Sequence, residues 1–361
     1  MSVFFNSLVF LPTSFSLSYL WNIGSMLGMV LFFQILSGFF LTFYYSTFDA
    51  FASVQYIMYE VNFGWLVRIL HSNGASLFFF FIYLHIFKGL INFSYRLVGV
   101  WISGILIYFL LMGIAFTGYV LIWGQMSYWA AVVITSLASS LPYFGKYMVW
   151  WIWGGFGVCS NTLKFFYSFH FIMPWLVFLV VFFHLFFLHY FGSSSSLFCH
   201  GDYDKVCFYP VYWIKDSLNV FFLMFFFIFI VLFSFVLCDP MIFLECDVMV
   251  SPLHVVPEWY FLFAFTILRS IPDKLLGVVF MFLSVFSLLL LIFPKYYGSM
   301  MDNILFFFVM CFIWVFFWLT WAGFYPVDYP FDYFNFLISF LYFFMLLLMV
   351  FLNFLSKKLF F

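Results

Sequence analysis

The chain has 361 residues, of which 68% are hydrophobic and only 7% are charged. A water-soluble domain carries roughly a quarter of charged residues, so this composition excludes a soluble protein and predicts an all-α integral membrane protein rather than a barrel. The formal net charge of −1, without any basic stripe, excludes a nucleic-acid-binding protein.

Eight apolar segments are long enough to cross a membrane as helices, since each crossing takes about 20 residues. Two unusually long connectors, 124–164 and 239–273, separate some of them, and long structured connectors are usually functional. The predicted spans are Gly24–Tyr45, the segment between Arg68 and Arg96 whose uncharged part ends at Lys88, Trp101–Trp123, Phe165–Phe191, the segment from Asp216 to Cys238, the segment between Lys274 and Lys295, Ile304–Phe324 and Tyr333–Ser356.

An even number of spans places both termini on one side of the membrane. Seven of the twelve Lys and Arg residues then fall on that side, a weak bias that favours the negative (n) side for the termini. The first charged residue is Asp49, so we expect no cleavable signal with a basic start and a mature chain that begins near Met1.

The six cysteines are scattered and none forms a CxxC pair, which leaves a disulfide framework, a zinc site and covalent CxxCH haem attachment without support. They are Cys159, Cys199, Cys207, Cys238, Cys246 and Cys311.

Four of the seven histidines form two pairs with the same separation: His71 and His85 in one span, His170 and His184 in another. Fourteen residues advance an α-helix to within about 40° of four full turns and by about 21 Å, so both members of a pair lie on one face near opposite sides of the bilayer. A single intramembrane histidine is most often a packing residue, but two matching pairs predict a shared site.

The two spans run in the same direction, because one span separates them along the chain. His71 is therefore predicted to meet His170, and His85 to meet His184, as two bis-histidine sites stacked across the membrane. Imidazole pairs without thiolate or carboxylate, in a dry slot, fit bis-histidine haem best. The same period of fourteen recurs in glycines that would let a macrocycle approach the backbone, namely Gly24 and Gly38, and Gly104 and Gly118. Helix packing alone is the alternative for the glycines.

Two haems at different depths predict electron transfer across the membrane. The alternatives are a transporter or proton channel, with intramembrane His and Asp side chains as a proton relay, and a purely structural anchor. A reduced-minus-oxidised spectrum discriminates, because only the first function requires two low-spin b-type haems.

The chain resembles the mitochondrial cytochrome b family, the di-haem subunits of ubiquinol–cytochrome c reductase (respiratory complex III). The PEWY sequence together with the paired histidines is highly specific, and the unbroken chain with a spacing of fourteen resembles the respiratory form. The matching segments cover the chain from the first span to the last: GSMLGMVLFFQILSG, RILHSNGAS, GYVLIWGQMSYW, WIWGGF, FHFIMPW, HLFFLHYFGSSSS, YWIKD, PEWYFLFAF, ILRSIPDKLLG and YPVDYP.

The resemblance implies a Q cycle that is coupled to proton translocation. Ubiquinol is oxidised near the positive (p) side, and one electron passes to a Rieske iron–sulfur protein. The other passes through two non-covalent b-type haems to ubiquinone on the n side. It also implies a homodimeric complex in the mitochondrial inner membrane, with termini on the matrix side, a membrane-anchored c-type cytochrome, other complex III subunits and lipids such as cardiolipin.

In the implied division, residues 1–200 form the di-haem bundle of helices one to four. Residues 201–361 hold helices five to eight and the PEWY loop, within one continuous membrane domain. His71 and His170 would ligate the iron of the p-side haem, and His85 and His184 that of the n-side haem. Arg68 and Lys88 resemble partners of the haem propionates.

The resemblance also places two quinone sites. The quinol site would be built around Pro257, Glu258, Trp259 and Tyr260, and a carboxylate buried among aromatic rings should have a raised pKa that suits it to accept a quinol proton. Tyr119, Phe116, Ala130 and Ile134 would line the same pocket. The quinone-reduction site resembles a cluster in which His189 and Asp216 would bind the quinone carbonyls, with Asn22, Ser193 and Lys215 beside them. His254, just before PEWY, and His200 have no firm role.

Four residues depart from the family pattern. Lys88 stands where an Arg usually meets a propionate, so the charge is kept but bidentate geometry is lost. Phe165 stands where the family often has Arg, Phe265 replaces a Tyr hydroxyl of the quinol pocket, and Ala130 replaces a Gly of its wall.

Overall fold

The computed structural model describes residues 9–195, 204–294 and 302–360, so His200 and Cys199 lie outside the described residues. The five described cysteines are free thiols.

Strands Pro12–Ser14 and Lys205–Cys207 pair antiparallel, with Pro12 opposite Cys207. The α-helices are Ile23–Leu41, Ala50–Tyr59, Gly64–Ile91, Val98–Val120, Gln125–Ser136, Gly145–Trp153, Ser160–Phe191, Val211–Ser217, Asn219–Leu232, Leu262–Ser270, Lys274–Phe286, Asp302–Ala322 and Phe331–Phe360. Short 3₁₀ helices are Tyr19–Asn22, Ser94–Arg96, Leu137–Ser140, Pro240–Phe243, Trp259–Phe261 and Ser287–Ile292.

Within the described residues, eight helical segments are long and apolar enough to cross a membrane, which confirms the all-α membrane class and the predicted number of spans. They are called span 1 to span 8 in chain order: Tyr19–Leu41, Gly64–Ile91, Val98–Val120, Ser160–Phe191, Val211–Leu232, Lys274–Ile292, Asn303–Ala322 and Phe331–Leu355.

Several predicted span boundaries were wrong because charged residues do not mark the helix ends. Span 2 begins before Arg68, and that side chain therefore lies inside the helix. Span 5 likewise begins at Val211, before Asp216, and it ends before Cys238. Helices can carry such side chains where they face protein or lie near the interface, so charge alone is a poor end signal.

The first four spans pack as two helix pairs, span 1 with span 2 and span 3 with span 4, while spans 7 and 8 form a third pair. Hydrogen bonds in the buried core join the two halves of the chain and also connect spans within the second half. The indole Nε1 of Trp101 donates to the carbonyl of Leu288 at 3.0 Å. The hydroxyl of Tyr342 donates to the carbonyl of Ser284 at 2.6 Å within the second half.

The two long connectors meet each other outside the spans. The backbone N–H of Gln125 donates to the carbonyl of Leu244 at 2.8 Å. Its side-chain Oε1 accepts from the backbone N–H of Asp247 at 2.7 Å. The connector after span 3 is therefore clamped onto the one that carries PEWY, and both lie at the same end of the molecule.

Candidate functional site

Spans 2 and 4 place four histidines in two facing pairs. The ring centroids of His71 and His170 are 6.2 Å apart, and those of His85 and His184 are 6.4 Å apart. Each ring therefore faces the partner that the spacing of fourteen predicts, and the two spans run in the same direction. The two pairs lie about 21 Å apart along the helices, since each residue adds 1.5 Å.

A glycine from span 1 or span 3 lies against each of the four imidazole rings, so the glycine and histidine periods match in space. A Cβ added to the glycine would touch or overlap the ring, and the closeness differs between sites. The distance from that Cβ to the nearest ring atom is 2.3 Å for Gly118 and His170, 2.9 Å for Gly38 and His71, 3.2 Å for Gly104 and His184, and 3.5 Å for Gly24 and His85.

An apolar cavity of about 260 Å³ opens between the first four spans. Its lining includes the His71–His170 pair together with Arg68, and it continues to Glu258 and Tyr119. One continuous space thus connects one histidine pair with the acidic residue of PEWY.

Arg68 is buried one helical turn before His71, and its Nη1 atom has no hydrogen-bond partner among the described residues. A buried N–H group of a guanidinium that lacks a hydrogen-bond partner is costly. The side chain lines the cavity, so an anionic group bound there would supply the missing partner.

Glu258 lies outside the spans, in the connector that carries PEWY, and it lines the cavity. Burial, and to a lesser extent the nearby carboxylate of Asp239, raises the pKa of Glu258 to about 7. Near neutral pH this carboxyl group is therefore balanced between its acid and its base, as proton transfer requires.

Aromatic packing fixes the residues around Glu258. The ring of Tyr260 stacks on Phe79 with centroids 4.3 Å apart, and its carbonyl accepts a hydrogen bond from the hydroxyl of Tyr83. The indole Nε1 of Trp259 donates to Ser76 Oγ at 3.3 Å. All three partners, Phe79, Tyr83 and Ser76, lie on span 2, so PEWY is attached to the helix that carries His71 and His85.

The cavity does not include all of the residues predicted for the quinol pocket. Tyr119 and Tyr260 line it, whereas Phe116, Pro257, Trp259, Ala130 and Ile134 do not. Phe116 packs instead on Phe166, with ring centroids 5.8 Å apart. Ala130 is buried within helix Gln125–Ser136.

At the other end of the bundle, Asn22 and Asp216 are joined through two bridging residues. Ser25 Oγ donates to Asp216 Oδ1 at 2.7 Å and lies 2.8 Å from the carbonyl of Asn22. Asn219 Nδ2 donates to the same carbonyl at 3.0 Å. The side-chain Nδ2 of Asn22 is buried without a partner among the described residues, which leaves a free donor beside Asp216.

The segment just before span 1 contacts both Lys215 and the segment around Ser193. Lys215 Nζ donates to the carbonyl of Leu17 at 2.7 Å. Two residues beyond Ser193, Ser195 Oγ lies 2.8 Å from Ser16 Oγ. Both contacts involve the segment just before span 1. His189 lies in the last turn of span 4, and among the described residues no hydrogen bond connects it to Asp216.

Three departures from the family pattern have aromatic surroundings in the structure. Lys88 Nζ lies 4.4 Å from the centroid of the Trp21 ring. The guanidinium carbon of Arg269 lies 4.5 Å from the centroid of Phe265. The rings of Phe165 and Trp151 meet edge to face at 5.2 Å.

Sequence reasoning missed the hydroxyl groups that contact the histidines and Asp216. Ser37 and Ser103 each lie 2.9 Å from a histidine Nδ1 atom, and Ser25 binds Asp216. One signal was present: the dipeptide Ser-Gly occurs at both 37–38 and 103–104, just where two of the four glycines stand.

Comparison with known proteins agrees with this geometry. The family model described as cytochrome b/b6/petB matches residues 8–192, and that described as cytochrome b(C-terminal)/b6/petD matches residues 245–343. Cytochrome b of Caenorhabditis elegans and that of Caenorhabditis briggsae are each 56% identical over 308 residues, which is 85% of this chain and 83% of theirs.

A solved structure of a hyperthermophilic respiratory complex III has a chain that superposes with a TM-score of 0.92 at 30% identity. The match covers 99% of this chain and 97% of that one. The resemblance predicted from the sequence is thereby confirmed, and the chain belongs to the cytochrome b family.

Proposed function

We propose that the chain is the catalytic subunit of a quinol–cytochrome c oxidoreductase. In this role it oxidises ubiquinol at one side of the membrane, transfers an electron across it and reduces ubiquinone at the other side. The observation that carries the proposal is the pair of facing histidine sites about 21 Å apart in depth, of which one shares a cavity with Glu258.

The histidine sites fit b-type haem. No group of three or more His, Cys, Asp or Glu side chains that could hold a metal occurs within residues 9–195, 204–294 and 302–360, so two histidines per site suit an iron whose macrocycle supplies the other ligands. The buried, unpaired Nη1 of Arg68 suits a propionate. When bound by His71 and His170 and by His85 and His184, two haems would supply one-electron carriers at two depths.

The residues around the cavity suit the oxidation of a quinol, which releases two protons and two electrons. Glu258 is the proposed acceptor for one proton, because its pKa of about 7 keeps much of it ionised at neutral pH. Tyr260 and Tyr119 line the same space and would hold the quinol ring against one histidine site. The aromatic walls limit the access of water to the reacting groups.

The region around Asn22 and Asp216 suits quinone reduction. The Nδ2 atom of Asn22 and the Nε1 atom of Trp21 are buried donors without partners among the described residues, and a quinone carbonyl accepts such bonds. Asp216, His189, Lys215 and Ser193 are the proposed residues that orient the quinone and return protons to it.

The proposed setting is the mitochondrial inner membrane, within a homodimeric complex whose partners are a Rieske iron–sulfur protein and a membrane-anchored c-type cytochrome. Both termini would face the matrix. Residues 1–200 would form the di-haem bundle and residues 201–361 the remaining helices and the PEWY loop. The complex III chain that superposes on this one supports a multi-subunit assembly.

The number of haems tests the proposal. We expect the purified complex to contain two b-type haems per copy of this chain, visible in a reduced-minus-oxidised spectrum. A redox titration should resolve two midpoint potentials, because the two histidine pairs have different neighbours. A complex that transports ions yet contains no b-type haem would contradict the proposal and favour a proton relay.

Removing the charge of Arg68 should change one haem only. The variant Arg68→Gln should lower the midpoint potential of the haem at His71 and His170, because a nearby cation stabilises the reduced, less positive iron centre. Spectroelectrochemical titration measures both haems together. Arg68→Lys keeps the charge, so its midpoint potential for this haem should lie between those of the wild type and Arg68→Gln. Equal shifts of both haems would contradict the assignment.

A further inference from the structure

Two of the four facing histidines contact a serine hydroxyl through the ring nitrogen Nδ1. The distance from His71 Nδ1 to Ser37 Oγ is 2.9 Å, and the distance from His184 Nδ1 to Ser103 Oγ is also 2.9 Å. The serines come from span 1 and span 3, which do not carry histidine ligands. Each hydroxyl therefore reaches a ring across a helix interface.

Each serine immediately precedes the glycine that lies against the same ring. The dipeptide Ser-Gly at 37–38 faces one histidine, and the dipeptide Ser-Gly at 103–104 faces another. The glycine lets the ring approach the helix backbone, and the adjacent hydroxyl then lies within hydrogen-bonding distance of Nδ1. Each Ser-Gly dipeptide therefore contacts one imidazole ring through both of its residues.

The other two histidines lack such a hydroxyl. His170 Nδ1 lies 2.8 Å from the backbone carbonyl of Ile114. The Nδ1 atom of His85 is buried and has no partner among the described residues, and the residue before its glycine is Ile23. Of the two rings that face each other in the second pair, one has a hydroxyl partner and the other has none.

Both serines can complete a chain of hydrogen bonds. When Nε2 binds iron, Nδ1 carries the proton and shares it between the serine oxygen and a backbone carbonyl of the same span, that of Gln34 beside His71 and that of Val100 beside His184. The hydroxyl proton then points to a carbonyl of the preceding helical turn, that of Phe33 at 2.7 Å from Ser37 and that of Gly99 at 2.8 Å from Ser103. Every donor in the chain has an acceptor.

We infer that Ser37 and Ser103 are positioning residues that fix the orientation and tautomer of His71 and His184 and thereby set the redox potential of one haem each. The inference rests on the proposed haem ligation. An acceptor on the Nδ1 proton increases the basicity of the ligand and stabilises ferric iron. Loss of either hydroxyl therefore raises the midpoint potential of the haem concerned.

The experiment uses the assembled complex with Ser103→Ala, Ser37→Ala and the hydroxyl-retaining Ser103→Thr. We expect Ser103→Ala to shift the potential of the haem at His85 and His184 in the positive direction. It should also change the electron paramagnetic resonance signal of that ferric haem, while the other haem stays as in the wild type. Ser37→Ala should do the same for the other haem.

Ser103→Thr keeps the hydroxyl and should therefore keep the wild-type potential of the haem at His85 and His184, which a packing role alone would not predict. The matched control is Ser284→Ala, a buried serine in span 6 whose hydroxyl donates to the carbonyl of Met281 at 2.6 Å. It should leave both haems unchanged. Haem content is measured on every sample, so that failure of the positioning role can be distinguished from failure of the proposed function. Absence of b-type haem from the wild-type complex would contradict the proposed function itself.

Two haems with unchanged potentials and unchanged resonance spectra in both alanine variants would overturn the positioning role. So would identical shifts of both haems in either variant. A shift that Ser103→Thr fails to reverse would mean that the volume of the side chain, and not its hydroxyl, positions the ring.

Discussion

Replacing Gly118 by alanine is expected to remove the haem proposed at His71 and His170. The new Cβ would lie 2.3 Å from a carbon of the His170 ring, closer than any real carbon contact. The other side of the ring faces the cavity, so the ring would move into the space proposed for the haem and lose the orientation that iron binding requires. We expect one b-type haem per chain in place of two, measured by pyridine haemochrome and difference spectra.

Ordinary helix energetics point the other way, which makes this test sharp. In a helix interior, alanine is favoured over glycine by roughly 0.5–1 kcal/mol. A variant that loses haem must therefore owe the loss to the clash and not to weaker helix formation. The matched control is Gly28→Ala in span 1, where an added Cβ meets no atom within 4 Å, and it should keep both haems.

The other three glycines should follow in order of distance. Alanine at Gly38 should be the next most damaging at 2.9 Å, alanine at Gly104 should be milder at 3.2 Å, and alanine at Gly24 should be tolerated at 3.5 Å. Loss of haem that is equally severe at Gly24 and Gly118 would contradict a steric origin.

The histidine pairs could be predicted from the sequence because the period of an α-helix is fixed. A separation of fourteen determines the face and the depth whatever the neighbours are, so the partners followed once spans 2 and 4 were known to run in the same direction. The fold class and the number of spans followed from the length of the apolar runs.

Other contacts between spans could not be predicted in this way, because they depend on how each helix is rotated about its axis. Ser25 is an ordinary polar residue in the sequence, and only the packing brings its hydroxyl to Asp216. The start of span 2 differs from the prediction for a related reason. The charge of Arg68 predicts a membrane boundary, whereas the side chain is buried within the bundle.

The residues that line the cavity were only partly predictable. Glu258 and Tyr119 line the cavity as the family resemblance implied, but Ala130 and Phe116 do not. Those two residues lie where the first long connector packs against the bundle. The position of such a connector follows from hydrogen bonds like that between Gln125 and Leu244, which leave no periodic trace in the sequence.

Replacing Glu258 by glutamine is expected to slow quinol oxidation by roughly 10²-fold, the usual contribution of a positioned proton acceptor. Glutamine has nearly the same shape but cannot accept a proton near neutral pH. The measurement is quinol–cytochrome c reductase activity of the assembled complex. Glu245→Gln is the matched control, since it removes an exposed carboxylate from the same connector and should retain wild-type activity.

The dependence on pH should identify the group directly. In the proposed mechanism the ionised form of Glu258 accepts the proton, and the pKa of Glu258 is about 7. The wild-type rate should therefore rise between about pH 6 and about pH 8, one unit on either side of the pKa. Glu258→Gln should be slow and should lose this rise. A rise that persists unchanged in the variant would assign it to another group.

Asp239→Asn should move the same profile without removing the acceptor. The carboxylate of Asp239 contributes to the raised pKa of Glu258, since a nearby like charge disfavours ionisation. Loss of that charge lowers the pKa of Glu258, so the rise in rate should begin at lower pH. The local fold should persist, because Asp239 Oδ1 accepts from the backbone N–H of Met241 at 2.8 Å and the Asn oxygen can accept the same bond. A profile displaced towards higher pH would contradict the role of Glu258, because no loss of a neighbouring negative charge can make its carboxyl group a weaker acid.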